Sequence, residues 1–108
     1  MIAMANEEIK ILDPLGKTIY LPAGICDKGN TQQDIYDDVQ TVIQKPAILI
    51  EVTENSDYYF YYYRSVGWNQ TLLITVLLKN SQWEAVHCQR NPSTRELSFI
   101  LKKGKQII

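Results

Sequence analysis

The chain of 108 residues holds only two cysteines, Cys26 and Cys88, and one histidine, His87. With no Cys-x-x-Cys pair and a single imidazole, neither a dedicated zinc site nor any other metal or cofactor is expected. Two cysteines without a secretory leader read as reduced, cytoplasmic thiols. The opening MIAMAN lacks the basic start and long apolar core of a signal peptide, and residues 1–6 read as a frayed end. No apolar run approaches the ~18 residues of a membrane span, so no membrane partner is expected. GICDKG (24–29) lacks the Gly-Lys-Ser/Thr ending of a phosphate-cradling loop. His87 and Cys88 are neighbours on a predicted strand and point to opposite faces, which argues against a Cys–His dyad.

The remainder is ordinary globular composition, 45% apolar and 21% charged, and fits a single domain over 1–108. The net charge of −1 conceals a split. Residues 1–63 carry four Lys against ten Asp and Glu, whereas residues 64–108 carry seven Lys and Arg against Glu84 and Glu96. A chain so divided either presents a basic side to phosphates or interleaves its halves and neutralises them.

Along the chain, EEIKIL (7–12) and TIYL (18–21) flank the turn DPLGK and read as a hairpin. Thr31 and Asp34 fit a capping box, and Ile35, Val39, Val42 and Ile43 form one apolar helical stripe. Asp34, Asp37 and Asp38 suit the positive end of that helix and need no metal, and Pro46 ends it. Then the period changes to two. AILIEVT (47–53), the turn NSD, the aromatic run, the turn SVGWN, TLLITVLLK (71–79), the turn NS and QWEAVHCQ (82–89) read as successive strands. TLLITVLLK has no polar face, as expected of a central strand covered on both sides. On the last strand, alternation puts Trp83, Ala85 and His87 on one face, with Glu84, Val86 and Cys88 on the other. RNPSTRE (90–96) is polar and turn-rich, and LSFILKKGKQII ends as a short helix or a strand, broken at Gly104. The expected fold is α+β: an N-terminal hairpin and one main helix packed on a four-stranded antiparallel β-meander.

DYYFYYYR (57–64) spends six of the chain's eleven aromatics on one stretch. Period two places Tyr58, Phe60 and Tyr62 on one face and Tyr59, Tyr61 and Tyr63 on the other. One triplet belongs under the helix stripe, so base stacking is open to at most the second, and cross-strand packing, the favoured reading, accounts for the same residues without a ligand.

GKTIYLP (16–22), the helix ending in VIQKPAILIE (42–51), YYYR (61–64), LLITVLLK (72–79), WEAV (83–86) and LKKGKQII (101–108) together resemble phage and bacterial families of the barnase–EndoU–colicin–RelE nuclease superfold. That resemblance implies a RelE/barnase-like fold and a toxin-type, metal-independent endoribonuclease. Its partners would be RNA or a cognate antitoxin-like protein. Such chemistry needs a base, an acid and a cation for the phosphorane. The His-Pro-Glu of relatives falls near Gly29-Asn30-Thr31, none of them a base. His87 is then the one imidazole for proton transfer and Arg64 the cation that matches the strand-end basic residue. Tyr61, Tyr63, Arg90, Arg95, Lys102 and Lys103, with Lys105, form the candidate RNA-binding set. The alternative is a non-catalytic member of the fold, serving as an RNA-binding or protein–protein interaction module.

Overall fold

The computed structural model describes residues 9–22, 25 and 32–108, the side chains of residues 32–35 excepted. The Thr31–Asp34 capping box and Cys26 lie outside the described residues. In chain order the elements are β1 (Ile9–Leu12), β2 (Thr18–Leu21), α1 (Gln32–Gln44), β3 (Ile48–Glu54), β4 (Asp57–Gly67), β5 (Gln70–Lys79), β6 (Gln82–Arg90), α2 (Thr94–Lys103) and β7 (Lys105–Gln106).

Two Asn-Ser pairs set the register of the strands they join. Asn55 and Ser56 have φ of 51° and 74°, and Asn80 and Ser81 have φ of 51° and 67°. Positive φ at both central residues is the turn whose twist matches paired strands, and Asn enters that region at low cost. The hairpins therefore close tightly, at Glu54 opposite Asp57 and at Lys79 opposite Gln82.

The sheet has seven strands in the order β1-β2-β6-β5-β4-β3-β7. This corrects the expected RelE/barnase-like architecture of one main helix on a four-stranded meander. Two pairings make the difference. β2 runs parallel to β6, with Ile19 opposite Trp83, so the N-terminal hairpin is part of the same sheet. At the other edge β7 adds to β3, with Glu51 opposite Lys105. A second helix, α2, covers the face that α1 leaves open.

Three layers result. Val39, Val42 and Ile43 of α1 are fully buried against Leu49, Phe60, Tyr62, Leu72, Ile74 and Val76. Burying such a side chain contributes about 1.5–3 kcal/mol. On the opposite face Ile100 of α2 packs with Ile50, Val52 and Leu73. The aromatic run splits between the layers: Phe60 and Tyr62 are buried and Tyr58 packs beside them on the α1 face, while Tyr59, Tyr61 and Tyr63 join the α2 face half-buried. β5 is the middle strand and carries core residues on both sides, which explains its unbroken apolar sequence.

The DPLGK turn is fastened to the α1 face by a buried carboxylate. Asp13 Oδ1 accepts from the backbone N–H groups of Leu15 and Lys17 at 3.0 and 2.8 Å. Its Oδ2 accepts from the Tyr62 hydroxyl at 2.5 Å and pairs with Lys17 Nζ at 2.6 Å. The same ammonium lies 3.9 Å from the centre of the Phe60 ring and 5.3 Å from that of Trp83. Burial, then the Asp13 carboxylate, push the Tyr62 hydroxyl above its usual range.

Gly104 separates α2 from β7 because nothing larger fits. A Cβ there would stand 2.3 Å from the Glu51 carbonyl oxygen and 2.7 Å from Val52 Cγ2.

Candidate functional site

A single extra residue on β6 decides which side chains face outward. Thr75 of β5 pairs with His87, but Val76 pairs with Ala85, so Val86 has no partner. Such a bulge shifts the alternation by one position. Trp83, Ala85 and Cys88 accordingly pack on the α1 face, and His87 and Gln89 turn to the α2 face beside Thr75 and Leu73. Regular alternation groups His87 with Trp83 and Ala85, and the bulge overturns that grouping. Cys88 is disulfide-bonded, which corrects the expectation of reduced thiols; the chain's other cysteine is Cys26.

α2 starts at a full capping box. Ser93 Oγ accepts from the Glu96 N–H at 3.1 Å, and Glu96 Oε1 accepts from the Ser93 N–H at 2.9 Å. Glu96 Oε2 also accepts from Gln89 Nε2 at 2.8 Å, which ties the helix start to β6. These bonds, the one from Gln89 foremost, hold the Glu96 carboxyl below the usual carboxylate range. From there α2 crosses its face of the sheet towards β3, and Lys103 in its last turn pairs with Glu54 at 3.6 Å. The Lys103 ammonium also lies 5.7 Å from the ring centres of Tyr59 and Phe99. The Tyr59 hydroxyl, first among its neighbours, raises the lysine's pKa.

Between α2 and the sheet lies a groove of about 440 Å³. Leu73 and Ile100 form its apolar floor, and Tyr61 and Phe99 supply its rings. His87, Gln89, Arg95 and Glu96 bring polar groups to the same space, with Thr75 between them. Phe99 is 66% exposed, with the Lys103 ammonium beside its ring. The groove thus combines a flat apolar bed with hydrogen-bond donors, a guanidinium and a carboxylate held ionised.

The residues singled out from sequence divide between the two faces. His87, Tyr61 and Arg95 meet at the groove. Tyr63 is half-buried on the same face but packs beside Ile48, away from it. Lys102 is exposed at the far end of α2, where Lys103 is engaged by Glu54, and Lys105 is exposed on β7. Arg64 and Arg90 belong to the other face: both stand in register with Leu72, a buried residue of the α1 layer. Arg64 Nη1 donates to the Lys45 carbonyl oxygen at 2.9 Å, satisfying a carbonyl just past the end of α1. His87 and Arg64 therefore cannot share one phosphate.

Sequence reasoning missed Gln89, Glu96 and Phe99. Ser93-x-x-Glu96 is the capping-box spacing that would have marked the start of α2 and brought all three to notice.

Among the described residues, no group of three or more His, Cys, Asp or Glu is placed to hold a metal ion. No described helix is long and apolar enough to cross a membrane. Comparison with protein-family models, curated proteins and solved structures returns no match. Nothing outside the chain assigns the groove a ligand, and fold alone would not.

Proposed function

We propose that the chain binds single-stranded RNA, with one base in the groove, and does not cut it through the His87–Arg64 pair. The observation that supports this is the meeting of Tyr61, Phe99, His87, Gln89 and Arg95 around one space while Arg64 stands on the opposite face. A base has a flat π-face suited to the two rings and the apolar floor, and stacking on an aromatic contributes about 1–3 kcal/mol per base. Gln89 and His87 offer hydrogen bonds to a base edge, and Arg95 offers a fork-shaped donor to phosphate. An antitoxin-like partner, implied by the resemblance alone, is not part of the proposal.

The test is fluorescence anisotropy of a labelled eight-residue oligoribonucleotide across a salt series. Binding should weaken with salt, the slope growing by about 0.7 for each phosphate neutralised. Phe99→Ala and Arg95→Gln should each weaken it, and total RNA should stay intact during long incubation. Equal affinity of both variants and wild type would dismiss the groove as the binding place.

A second reading has one observation in its favour. His87 and Glu96 line the same groove as Arg95, so a proton donor, an acceptor and a cation stand together. If the protein cleaves RNA, Arg95 takes the role first assigned to Arg64. His87→Ala should then abolish cleavage while leaving most of the affinity.

A further inference from the structure

Inside the groove the amide of Gln89 is held in one orientation. Gln89 is half-buried and stands in register with Leu73 of the floor. The Glu96 carboxylate beside it can only accept, so the amide atom 2.8 Å from Glu96 Oε2 is Nε2. A flip would set the amide oxygen against a carboxylate. Glu96 is itself fixed: its other oxygen accepts from the Ser93 N–H at 2.9 Å, and Ser93 Oγ accepts from its own N–H at 3.1 Å. These bonds, the one from Gln89 foremost, lower the carboxyl's pKa and keep it ionised. With one N–H committed to Glu96, Gln89 keeps Oε1 and its second N–H, an acceptor and a donor in fixed order. Phe99 follows Glu96 by three positions on α2, which puts the two on one side of the helix, and both line the groove. A base stacked on that ring brings an edge to the amide and the carboxylate together.

We infer that the groove selects adenine, with Gln89 as the residue that reads the base edge and Glu96 as the one that positions it. The N6 amino group of adenine donates to Oε1 while N7 or N1 accepts from the amide N–H, a two-bond match on either open edge. The next atom along the edge decides the choice. Beside either ring nitrogen adenine carries a C–H, which lies near the Glu96 carboxylate without repulsion. Cytosine presents the same donor and acceptor at N4 and N3, but its O2 carbonyl comes next. Guanine and uracil reach the amide only with a carbonyl oxygen as acceptor. All three therefore bring a carbonyl oxygen towards an ionised carboxylate, which disfavours them. Free adenine nucleotides and adenines of a single strand share the favoured edge. The inference rests on the groove as a base site, proposed above for RNA.

The full chain is titrated by fluorescence anisotropy with labelled octaadenylate, octacytidylate and octauridylate. Calorimetry adds adenosine monophosphate and the monophosphate of purine riboside, which keeps the ring and lacks the amino group. Octaadenylate should bind about 5- to 150-fold more tightly than the other octamers, and adenosine monophosphate more tightly than its analogue. Stacking alone also favours purines, so the variants decide. Gln89→Ala should keep its circular dichroism and lose the preference. Glu96→Gln retains an acceptor for Gln89 but no charge, and should narrow the gap between octaadenylate and octacytidylate. Equal affinity for the three octamers would overturn the inference, as would equal binding of the two nucleotides or a preference undiminished in Gln89→Ala. Failure of the RNA reading looks different. If all octamers bind alike and Phe99→Ala weakens them, the groove holds RNA and does not choose adenine. If adenosine monophosphate outbinds its analogue through Gln89 and no octamer binds, adenine recognition stands and the RNA reading fails. If nothing binds, both fail.

Discussion

Replacing Asp13 by Ala should be among the most damaging single changes in this protein. The Asp13 side chain is wholly buried and that of Lys17 is 13% exposed. Without the carboxylate, the Lys17 ammonium is left against the Phe60 ring with no counter-ion, and the buried Tyr62 hydroxyl loses its acceptor. Removing one partner of a buried pair costs about 3–5 kcal/mol. The cation–π contact and the slight exposure of Lys17 point to the lower end. A chain of this length has a total stability of about 5–16 kcal/mol, so the loss is a large fraction of the whole. Tyr62→Phe is gentler. It deletes one hydrogen bond to a charged acceptor that keeps three other donors, and should cost about 1.5–3 kcal/mol. Urea denaturation at pH 7 reads both, as a lower midpoint at constant slope. Asp13→Ala combined with Lys17→Met should recover part of the loss, because the uncompensated charge is gone. pH supplies an independent reading. The pKa of Tyr62 is raised in the folded state, so its contribution is complete below the unfolded value near 10 and is lost as pH rises through the folded value. Tyr62→Phe should therefore flatten the alkaline fall in stability. A cost below about 1 kcal/mol for Asp13→Ala at unchanged slope, or no recovery in the double variant, would refute the reasoning.

Three further outcomes are expected. The Glu96 carboxyl is held below its unfolded pKa, so its contribution is present above about pH 4.5 and disappears as pH falls through the folded value; Glu96→Gln should flatten that acid limb in a denaturation series, and Ser93→Ala should cost about 1 kcal/mol. Ser81→Gly should stabilise, since Ser81 holds φ of 67° that glycine adopts without strain; a gain of about 1 kcal/mol would raise Tm by about 4–8 °C, and an unchanged or lower Tm would count against it. Thiol titration in denaturant should find no free thiol before reduction and two per chain after it, given a disulfide-bonded Cys88 and a chain with two cysteines.

The strands of the meander were legible because their signals are local. Asn55-Ser56 and Asn80-Ser81 announce hairpins, and the period-two split of residues 58–63 needs only a pleated strand. The parallel pairing of β2 with β6 was not legible. It joins residues more than sixty positions apart, and Ile19 reads equally well as half of a free-standing hairpin. The start of α2 was hidden for a different reason: Pro92 and Ser93 signal a turn, and the same serine caps the helix that follows through Ser93-x-x-Glu96. The site depended on another kind of information. His87 looks like a neighbour of Ala85, and no property of Val86 marks it as the residue that loses its partner. That Arg64 and His87 stand on opposite faces was hidden on the same ground, because sheet faces are properties of register and register is settled across strands.

That unpaired valine works as a phase shift in the strand's alternation. Deleting Val86 would remove the bulge and make Ala85 and His87 successive residues on opposite faces, so His87 and Gln89 would stay on the groove side and Cys88 under α1. Losing the cross-strand partner of any other residue of β6 would instead invert the faces beyond it, putting an imidazole and an amide where apolar packing stands. A chain one residue shorter at this point therefore keeps both faces of its sheet, and the bulge is what lets a strand one residue longer present the same two faces.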